Sequence, residues 1–506
     1  MARSAIPGHL KHARAFEGGS MRNTSLSRRH FGWFKSRDQK VAVDDLTIVD
    51  QSLLHRAVAA TALGNAMEWF DFGVYSYIAV TLGKVFFPAG SSVVQTLASL
   101  ATFAVGFLIR PVGGLVFGPL GDKFGRKRIL ALTMIMMAAS TFSIAFIPSY
   151  ASIGIAAPIL LMLARLLQGF STGGEYGGAA TFIAEYSTDR RRGFMGSWLE
   201  FGTMVGYIGG ACIVTLLTST LSSESLLSWG WRVPFLIAGP LGLMGLYMRL
   251  KLEESPAFQA YSDSVEHEEH EKPAYGLGSL IRIHGRQLLK AVGLVLVFNV
   301  TDYMLLSYLP SYMTSVLNYS ETRGLWMVLL VMVLMLPCNV LGGLMSDRFG
   351  RKPMILTASL AMVVLAIPCI KLIGSGMDLE IFIGFMLLAL CLVAYTSSMP
   401  STLPALFYTP VRYSALSIAF NVSVSLFGGT TPLATAWLIE KTHNTMVPAY
   451  YLMVAGVIGV ITILCVRETA GRPLRGSPPA VGSRSEAREV LAGDDPLTVD
   501  STLPRI

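Results

Sequence analysis

Two carboxylates stand inside a long apolar run, Gly64-Asn65-Ala66-Met67-Glu68-Trp69-Phe70-Asp71-Phe72-Gly73-Val74-Tyr75. At about 100° of rotation per helical residue, Thr61, Gly64, Asn65, Glu68, Asp71, Phe72 and Tyr75 fall within an arc of roughly 120°. Leu63, Ala66, Met67, Trp69, Phe70 and Val74 fill the rest of the surface. Such a helix turns a broad apolar side to lipid and keeps an acidic stripe inward. An acidic residue at the centre of a spanning helix costs about 2.5–3.5 kcal/mol on insertion scales, so it lines a pathway or pairs with a cation. The cations available within apolar runs are Arg110, in Phe107-Leu-Ile-Arg110-Pro111, and Arg165, in Arg165-Leu-Leu-Gln168-Gly169. Arg110 reads as lying near the cytoplasmic end of its run, which leaves Arg165 as the midplane cation.

All eight histidines lie in loops, termini or the central linker, so proton chemistry within the apolar runs falls to carboxylates. The candidates are Glu68, Asp71, Glu175, Glu200 and Asp302. Burial and a nearby guanidinium move a carboxyl group in opposite directions. A carboxyl that passes between those environments binds and releases protons. Glu68 and Asp71 come first, although either one can instead be the structural ion-pair partner of Arg165 or Arg110. Arg165, Gln168, Thr172, Glu175 and Tyr176 share one face, with Arg165 and Glu175 about 15 Å apart along the axis, too far to pair. Gly169, Gly173 and Gly177 repeat every four residues, as do Gly202, Gly206 and Gly210, a spacing that lets helices approach closely. Glu200, Thr203 and Tyr207 share a further face. A zwitterion with an ammonium end suits aromatic faces, which Trp69, Tyr75, Trp198, Tyr303 and Tyr395 offer, and its carboxylate suits an arginine fork.

The chain that positions these residues has 506 residues, is 52% hydrophobic and only 14% charged, and has a mean hydropathy of +0.54. Soluble domains carry about a quarter charged residues, and the repeated bilayer-length apolar runs make this a polytopic membrane protein. Twelve spans are expected, six within 57–250 and six within 288–466, around a polar linker at 251–287. The arm 1–56, which has no apolar core of a secretory signal, and the tail 467–506 are expected to be mostly disordered. Lys and Arg gather in the segments on the side of both termini, which places those termini in the cytoplasm. The net charge of +8 is therefore topological and does not indicate nucleic acid. The run Glu266-His267-Glu268-Glu269-His270-Glu271 reads as a solvated linker, and Cys212, Cys338, Cys369, Cys391 and Cys465 show neither metal-ligand nor disulfide spacing. No cofactor is expected.

The two halves repeat. Gly118-Pro-Leu-Gly-Asp122-Lys-Phe-Gly125-Arg126-Lys127 follows the second span, and Gly343-Leu-Met-Ser-Asp347-Arg-Phe-Gly350-Arg351-Lys352 follows the eighth. This repeated loop resembles that of the major facilitator superfamily, whose two six-helix halves hold a midplane site between them. Together with Gly64-Asn65-x-x-Glu68-Trp69-Phe70-Asp71-Phe72 and the Arg110 and Arg165 motifs, it is similar to the metabolite:proton symporters of that superfamily. Those include carriers of proline and betaine, 2-oxoglutarate, citrate and shikimate, and the proline and betaine carriers read most like this chain.

The resemblance implies an all-α membrane protein with twelve transmembrane helices in two pseudo-symmetric halves. It implies proton-coupled import of a zwitterionic osmolyte across a bacterial inner membrane, with Glu68, Asp71, Arg165 and Glu175 coupling the proton. Asn65, Trp69, Tyr75, Gln168, Glu200, Asp302 and Tyr303 would line the cavity. Gly118, Asp122, Gly125, Arg126, Lys127, Asp347, Gly350, Arg351 and Lys352 would form gating loops. Against that resemblance, the tail is not expected to form the C-terminal coiled coil of the best-known carrier, and Asp302 stands where an aromatic would be expected. The alternatives are a symporter for a dicarboxylate or shikimate-like acid and a non-transporting sensor with the same fold.

Overall fold

The computed structural model describes residues 46–49, 51–124, 126–173, 175–251, 277–477 and 479–492. The N-terminal half has six helical units. They are α1 (Gln51–Tyr77, continuing as Ala79–Phe86), α2 (Ser92–Leu108 and Arg110–Phe124), α3 (Arg126–Ile144), α4 (Ala156–Ser171 and Glu175–Tyr186), α5 (Arg192–Thr220) and α6 (Val233–Lys251). The second half repeats the count. α7 joins Leu277–Asp302 to Leu309–Ser315 through a π-helical turn, Tyr303–Tyr308. Then come α8 (Glu321–Phe349), α9 (Arg351–Ile373) and α10 (Asp378–Ala405). α11 joins Thr409–Ser423 to Thr431–Thr442 through a second π-helical turn, Val424–Gly428, and α12 is Val447–Leu464. Among the described residues nine helices are long and apolar enough to cross a membrane. α1 carries charge, α3 contributes a shorter apolar stretch, Leu132–Ile144, and α6 runs onto residues whose side chains are not described.

Helix starts follow local chemistry. Ser91 and Ser320 accept a backbone N–H at the first turns of α2 and α8, the usual N-cap role of a serine. Outward faces are apolar, as with Leu163 and Leu167 of α4, Leu341 of α8 and Ile461 of α12, all exposed. Small residues set the close helix pairs. A Cβ on Gly202 or Gly206 of α5 would strike the carbonyls of Ala62 and Ala66 on α1, and one on Gly169 of α4 would strike the carbonyl of Gly106 on α2. Both glycine repeats thus act as packing seams. Gly177 instead meets Ser417 of α11, in the other half.

The halves bond to one another at both ends. On the side of the tail, Asp347 at the end of α8 accepts from the backbone N–H groups of Gly193 (2.7 Å) and Phe194 (2.8 Å) at the start of α5. Arg412 of α11 donates to Glu185 of α4 at 2.6 Å. On the opposite side Thr81 donates to Glu321 at 3.3 Å and Thr322 to the carbonyl of Thr218 at 3.1 Å.

The ends of the chain correct the expectation of disorder where they are described. Thr47–Ile48 (β1) pairs in parallel with Ala480–Val481 (β2), and the described part of the tail reaches α13 (Arg484–Ala492). The first helix starts at Gln51, inside the expected arm, and α7 starts at Leu277, inside the expected linker. The tail is held largely through its backbone carbonyls and N–H groups, so its side-chain pattern carries little sign of the docking. The linker's His/Glu run lies outside the described residues.

Candidate functional site

The acidic stripe of α1 faces α2, α3 and α4, and its two carboxylates have different partners. Glu68 forms an ion pair with Arg110, both groups buried. Arg110 follows the break in α2 at Ile109, and its Nε donates to Thr172 Oγ1 at 2.8 Å, where the first segment of α4 ends. Its guanidinium lies 5.0 Å from the ring centre of Phe72 and 5.2 Å from that of Phe107. This corrects the expectation that Arg110, near the cytoplasmic end of its run, leaves Arg165 alone at the centre. The Arg165 guanidinium lies over the same Phe72 ring at 5.3 Å. The error arose from reading depth off hydropathy; the close α2–α4 seam carries Arg110 into the helix bundle.

Asp71 has no direct ion pair with Arg165. Thr141 of α3 donates to Asp71 Oδ2 at 2.9 Å, Gln168 Nε2 donates to Thr141 Oγ1 at 2.8 Å, and Arg165 donates to Gln168 Oε1. Three helices thus form one chain of hydrogen bonds from guanidinium to carboxylate. Arg165 also sits 4.2 Å from the ring centre of Tyr75 and 5.2 Å from that of Phe103, and Tyr75 donates to the carbonyl of Ser99 at 3.1 Å. Thr141 was not singled out by sequence reasoning, because a lone threonine in the apolar run of α3 carries no pattern.

Trp69 leads toward the second half. Its ring centre is 5.5 Å from Tyr207 of α5 and 5.9 Å from Tyr303 of α7, and Tyr303 stands edge-on to Phe107 at 5.1 Å. Tyr303 opens the π-helical turn of α7, and a Cβ on Gly428, in the π-helical turn of α11, would come within 3.0 Å of its ring. Ser425 of that second turn donates to the carbonyl of Phe107 at 2.7 Å. π-helical turns inside α-helices concentrate at functional sites, and here two of them meet beside Trp69 and Phe107.

Five buried donor atoms around these rings have no hydrogen-bond partner: Trp69 Nε1, Tyr303 Oη, Arg110 Nη1, and Arg165 Nε and Nη2. Each unmet buried donor costs about 1–3 kcal/mol. A carboxylate, which offers roughly four acceptor positions on two oxygens, is the chemical complement of such a set.

A second acidic pair lies nearby. Asp302 of α7 interacts electrostatically with Glu200 of α5, and both are buried. Tyr176 of α4 donates to Glu200 at 2.7 Å while its ring stacks on Phe420 of α11, with centres 3.8 Å apart. The other candidates separate. Asn65 donates to Leu199 O (3.0 Å) and Thr203 Oγ1 (2.6 Å), which clamps α1 to α5. Glu175 is buried at the start of the second segment of α4. Tyr395 donates to Ser359 within the second half, and Trp198 packs on Phe194 and Phe201, so neither is among the rings around Trp69.

In the loop between α8 and α9, Asp347 also meets Arg351 at 3.5 Å, and Lys352 Nζ donates to the carbonyl of Val466 at 2.9 Å. Gly350 adopts φ +98°, a left-handed geometry that favours glycine, and a Cβ there would also strike Glu468. In the matching loop of the first half, Gly125 lies outside the described residues, and for Gly118, Asp122, Arg126 and Lys127 the backbone alone is described.

With this geometry in place, comparison with known proteins is informative. The family model for "Sugar (and other) transporter" matches residues 57–274 and 258–479. The glycine betaine/proline/ectoine/pipecolic acid transporter OusA of Dickeya dadantii is 52% identical over 461 residues, covering 90% of this chain and 92% of OusA. The proline/betaine transporter of Escherichia coli K12 is 51% identical, with 90% and 92% covered. A putative proline/betaine transporter of Staphylococcus aureus COL is 43% identical, with 88% and 95% covered. Among solved structures, the major facilitator superfamily proton:xylose symporter XylE superposes with a TM-score of 0.66 at 19% identity, covering 84% of this chain and 98% of XylE. That likeness shows the fold. The chain belongs to the sugar (and other) transporter family and has the major facilitator fold of twelve helices in two halves.

Proposed function

We propose that this protein imports zwitterionic osmolytes (proline, glycine betaine and related compounds) together with protons, by alternating access. Its setting would be a bacterial inner membrane with both termini in the cytoplasm. The observation that carries the reading is the set of unpartnered donors on Trp69, Tyr303, Arg110 and Arg165, set among aromatic faces between the halves. A substrate carboxylate takes those donors. The ammonium end takes the faces of Trp69, Tyr207 and Tyr303, worth about 2 kcal/mol or more when desolvated, with the carboxyl groups of Glu200 and Asp302 nearby. The relatives from Dickeya and Escherichia, named for such substrates, support it.

The pairing of Glu68 with Arg110 bears on the dicarboxylate alternative. It leaves Arg165 as the guanidinium with no carboxylate in direct contact, enough for one carboxylate and short of two. Asp71 is the better proton carrier of the two α1 acids, since it is held by a hydroxyl and is not locked in an ion pair. The test is uptake of labelled proline and glycine betaine in a transport-deficient host, with and without a protonophore and with 2-oxoglutarate as competitor. Protonophore-sensitive uptake of either osmolyte, lost in Asp71→Asn, is expected. Uptake blocked by 2-oxoglutarate but not by betaine would replace the substrate class, and no uptake of any of them would favour the sensor.

A further inference from the structure

We infer that Thr141 is a positioning residue through which the protonation state of Asp71 reaches Arg165; this rests on the proton-symport reading above. A hydroxyl has one hydrogen to donate and two lone pairs. Here the hydrogen goes to Asp71 and one lone pair receives Gln168, whose carbonyl end receives Arg165. The hydrogen bonds therefore all point one way, toward an ionised Asp71. A proton arriving from the medium on Oδ2, the oxygen that faces Thr141, makes that atom a donor, so the Thr141 hydrogen turns away. Its new acceptor is a carbonyl of its own helix, the arrangement that neighbouring Ser140 already has with Met137 O at 2.8 Å.

Protonation thus reverses one link and removes the negative charge that Arg165 feels from Asp71. Arg165 is the charged residue acting on Asp71 from the helices around it. The guanidinium then turns its unpartnered Nε and Nη2 to a substrate carboxylate. When the proton leaves inside, the chain resets and the carboxylate is released.

The test uses purified full-length protein in proteoliposomes. Two readouts are compared in wild type, Thr141→Val and Thr141→Ser: exchange of labelled glycine betaine, and its accumulation under an imposed pH gradient. Valine keeps the shape and removes the hydroxyl. Thr141→Val is expected to keep exchange within about twofold while its gradient-driven accumulation falls at least tenfold. The pH profile of its exchange should move upward by half a unit or more, since a hydrogen bond to the ionised form favours that form. Thr141→Ser should restore both. A Thr141→Val protein that accumulates substrate like wild type overturns the relay and leaves symport intact. A wild type that ignores the pH gradient overturns symport and the relay together. Loss of exchange and accumulation alike in Thr141→Val, with no rescue by serine, assigns Thr141 to packing and also overturns the proposal.

The contacts of the tail independently carry a second inference: the segment from Glu468 to Val490 is a latch that holds the two halves together on its side of the membrane. Along its length it alternates between them. Glu468 and Thr469 bind Arg351 of the second half (3.1 Å from Arg351 N to Glu468, and from its Nη1 to the carbonyl of Thr469). The carbonyl of Arg472 receives Arg192 of the first half at 3.0 Å, and that of Arg475 receives Arg412 of the second at 2.8 Å. Ala480 then donates its N–H to Asp189 Oδ2 and accepts from Asp189 N, each at 3.0 Å, and β2 pairs with β1; Asp189 and β1 both belong to the first half. Leu474, 4% exposed, packs in one cluster with Ala184 of α4 and Ala405 of α10, a peg between the halves. Separation of the halves on this side, which alternating access requires, has to withdraw that peg and break one of the two sets of bonds.

The latch is tested with a single cysteine at Ser197, buried at the α5–α8 contact, in a background without the five native cysteines. Labelling by a membrane-impermeant maleimide is followed from the tail side in inverted vesicles. Leu474→Ala, and separately a chain ending at Ser477, are each expected to speed labelling at least fivefold. Unchanged labelling in Leu474→Ala overturns the latch whether or not the shortened chain is produced.

Discussion

The division of labour between Glu68 and Asp71 yields a quantitative prediction. In Glu68→Gln, the buried Arg110 keeps Thr172 and the faces of Phe72 and Phe107 but loses its counter-charge. Breaking a buried pair by removing one partner costs about 3–5 kcal/mol. The retained contacts, a hydrogen bond and two aromatic faces, place this case at the lower end, about 3 kcal/mol. Arg110→Gln removes the cation paired with Glu68 in the same way. The double replacement leaves two neutral amides within reach of each other, so it should cost less than the sum of the two, by about 2 kcal/mol or more. Thermal unfolding of the purified protein in detergent reads this directly. At roughly 2–4 °C per kcal/mol for a unit of about 200 residues, either single variant should melt roughly 6–12 °C below wild type, with the double variant recovering part of the loss. Asp71→Asn should stay close to wild type in the same assay, because an amide oxygen still accepts from Thr141. A Glu68→Gln protein that melts with wild type but loses proton-driven uptake would refute the reasoning and return the proton to Glu68.

Removing one unmet donor at a time tests the carboxylate cradle. Trp69→Phe and Tyr303→Phe keep the ring contacts and lose Nε1–H and O–H, and each should raise the KM for betaine uptake about tenfold, the worth of a hydrogen bond to a charged group. Unchanged KM in both would move the substrate carboxylate elsewhere. At the tail-side gate, Asp347→Asn removes the negative charge to which two N–H groups at the start of α5 donate. A helix N-terminus favours an anion, so tail-side labelling at buried Ser197 should accelerate about tenfold, and labelling at the wild-type rate would exclude Asp347 as a latch point. Glu468 gives a pH test. Burial would raise its carboxyl, but the N–H groups of Ala470, Lys352, Arg351 and Thr469 outweigh that and hold it below its ordinary value. A lowered acid contributes stability that is full above the unfolded value, about 4.3, and is lost as pH falls through the lowered one. Limited proteolysis should find the tail protected at pH 5–7 and cleaved only below the ordinary glutamate range, whereas Glu468→Gln should be cleaved at pH 7.

Much of the architecture is legible in the residues. Bilayer-length apolar runs, the repeated Gly-x-x-x-Asp-x-x-Gly-Arg-Lys loop and the polar break between halves yield twelve helices, because hydropathy and periodicity are properties of single segments. The α1 stripe is legible for the same reason. Partner identity is not. Glu68 and Asp71 are three residues apart, so they point in similar directions from successive turns of α1, yet one meets α2 and the other α3. Which neighbour stands at each turn depends on how deeply α2 and α4 interlock, and that depends on the carbonyl of Gly106 lying against Gly169. Thr141 is invisible because its role comes from what it touches. The tail is invisible because Arg192, Arg351 and Arg412 bind its backbone carbonyls, which every residue carries.

The same accounting explains why Glu68, Asp71, Arg110 and Arg165, four of the buried charged residues on α1, α2 and α4, favour a substrate with no net charge. Two of them, Glu68 and Arg110, satisfy each other. The other two, Asp71 and Arg165, are held apart by Gln168 and Thr141. An ionised Asp71 therefore balances Arg165 without occupying it, and a protonated Asp71 leaves one positive charge facing unpaired donors. A carboxylate that enters with its own ammonium cancels that charge at one end, while its other end rests on Trp69, Tyr207 and Tyr303 near Glu200 and Asp302. A dianion would bring a second negative charge to a site whose other buried ionisable groups, Glu200 and Asp302, are acids. On this argument Asp302→Asn should weaken betaine binding, and it should weaken binding of a neutral analogue lacking the ammonium far less. Equal losses for the two ligands, measured by competition against labelled betaine, would show that Asp302 shapes the site without reading the substrate's charge.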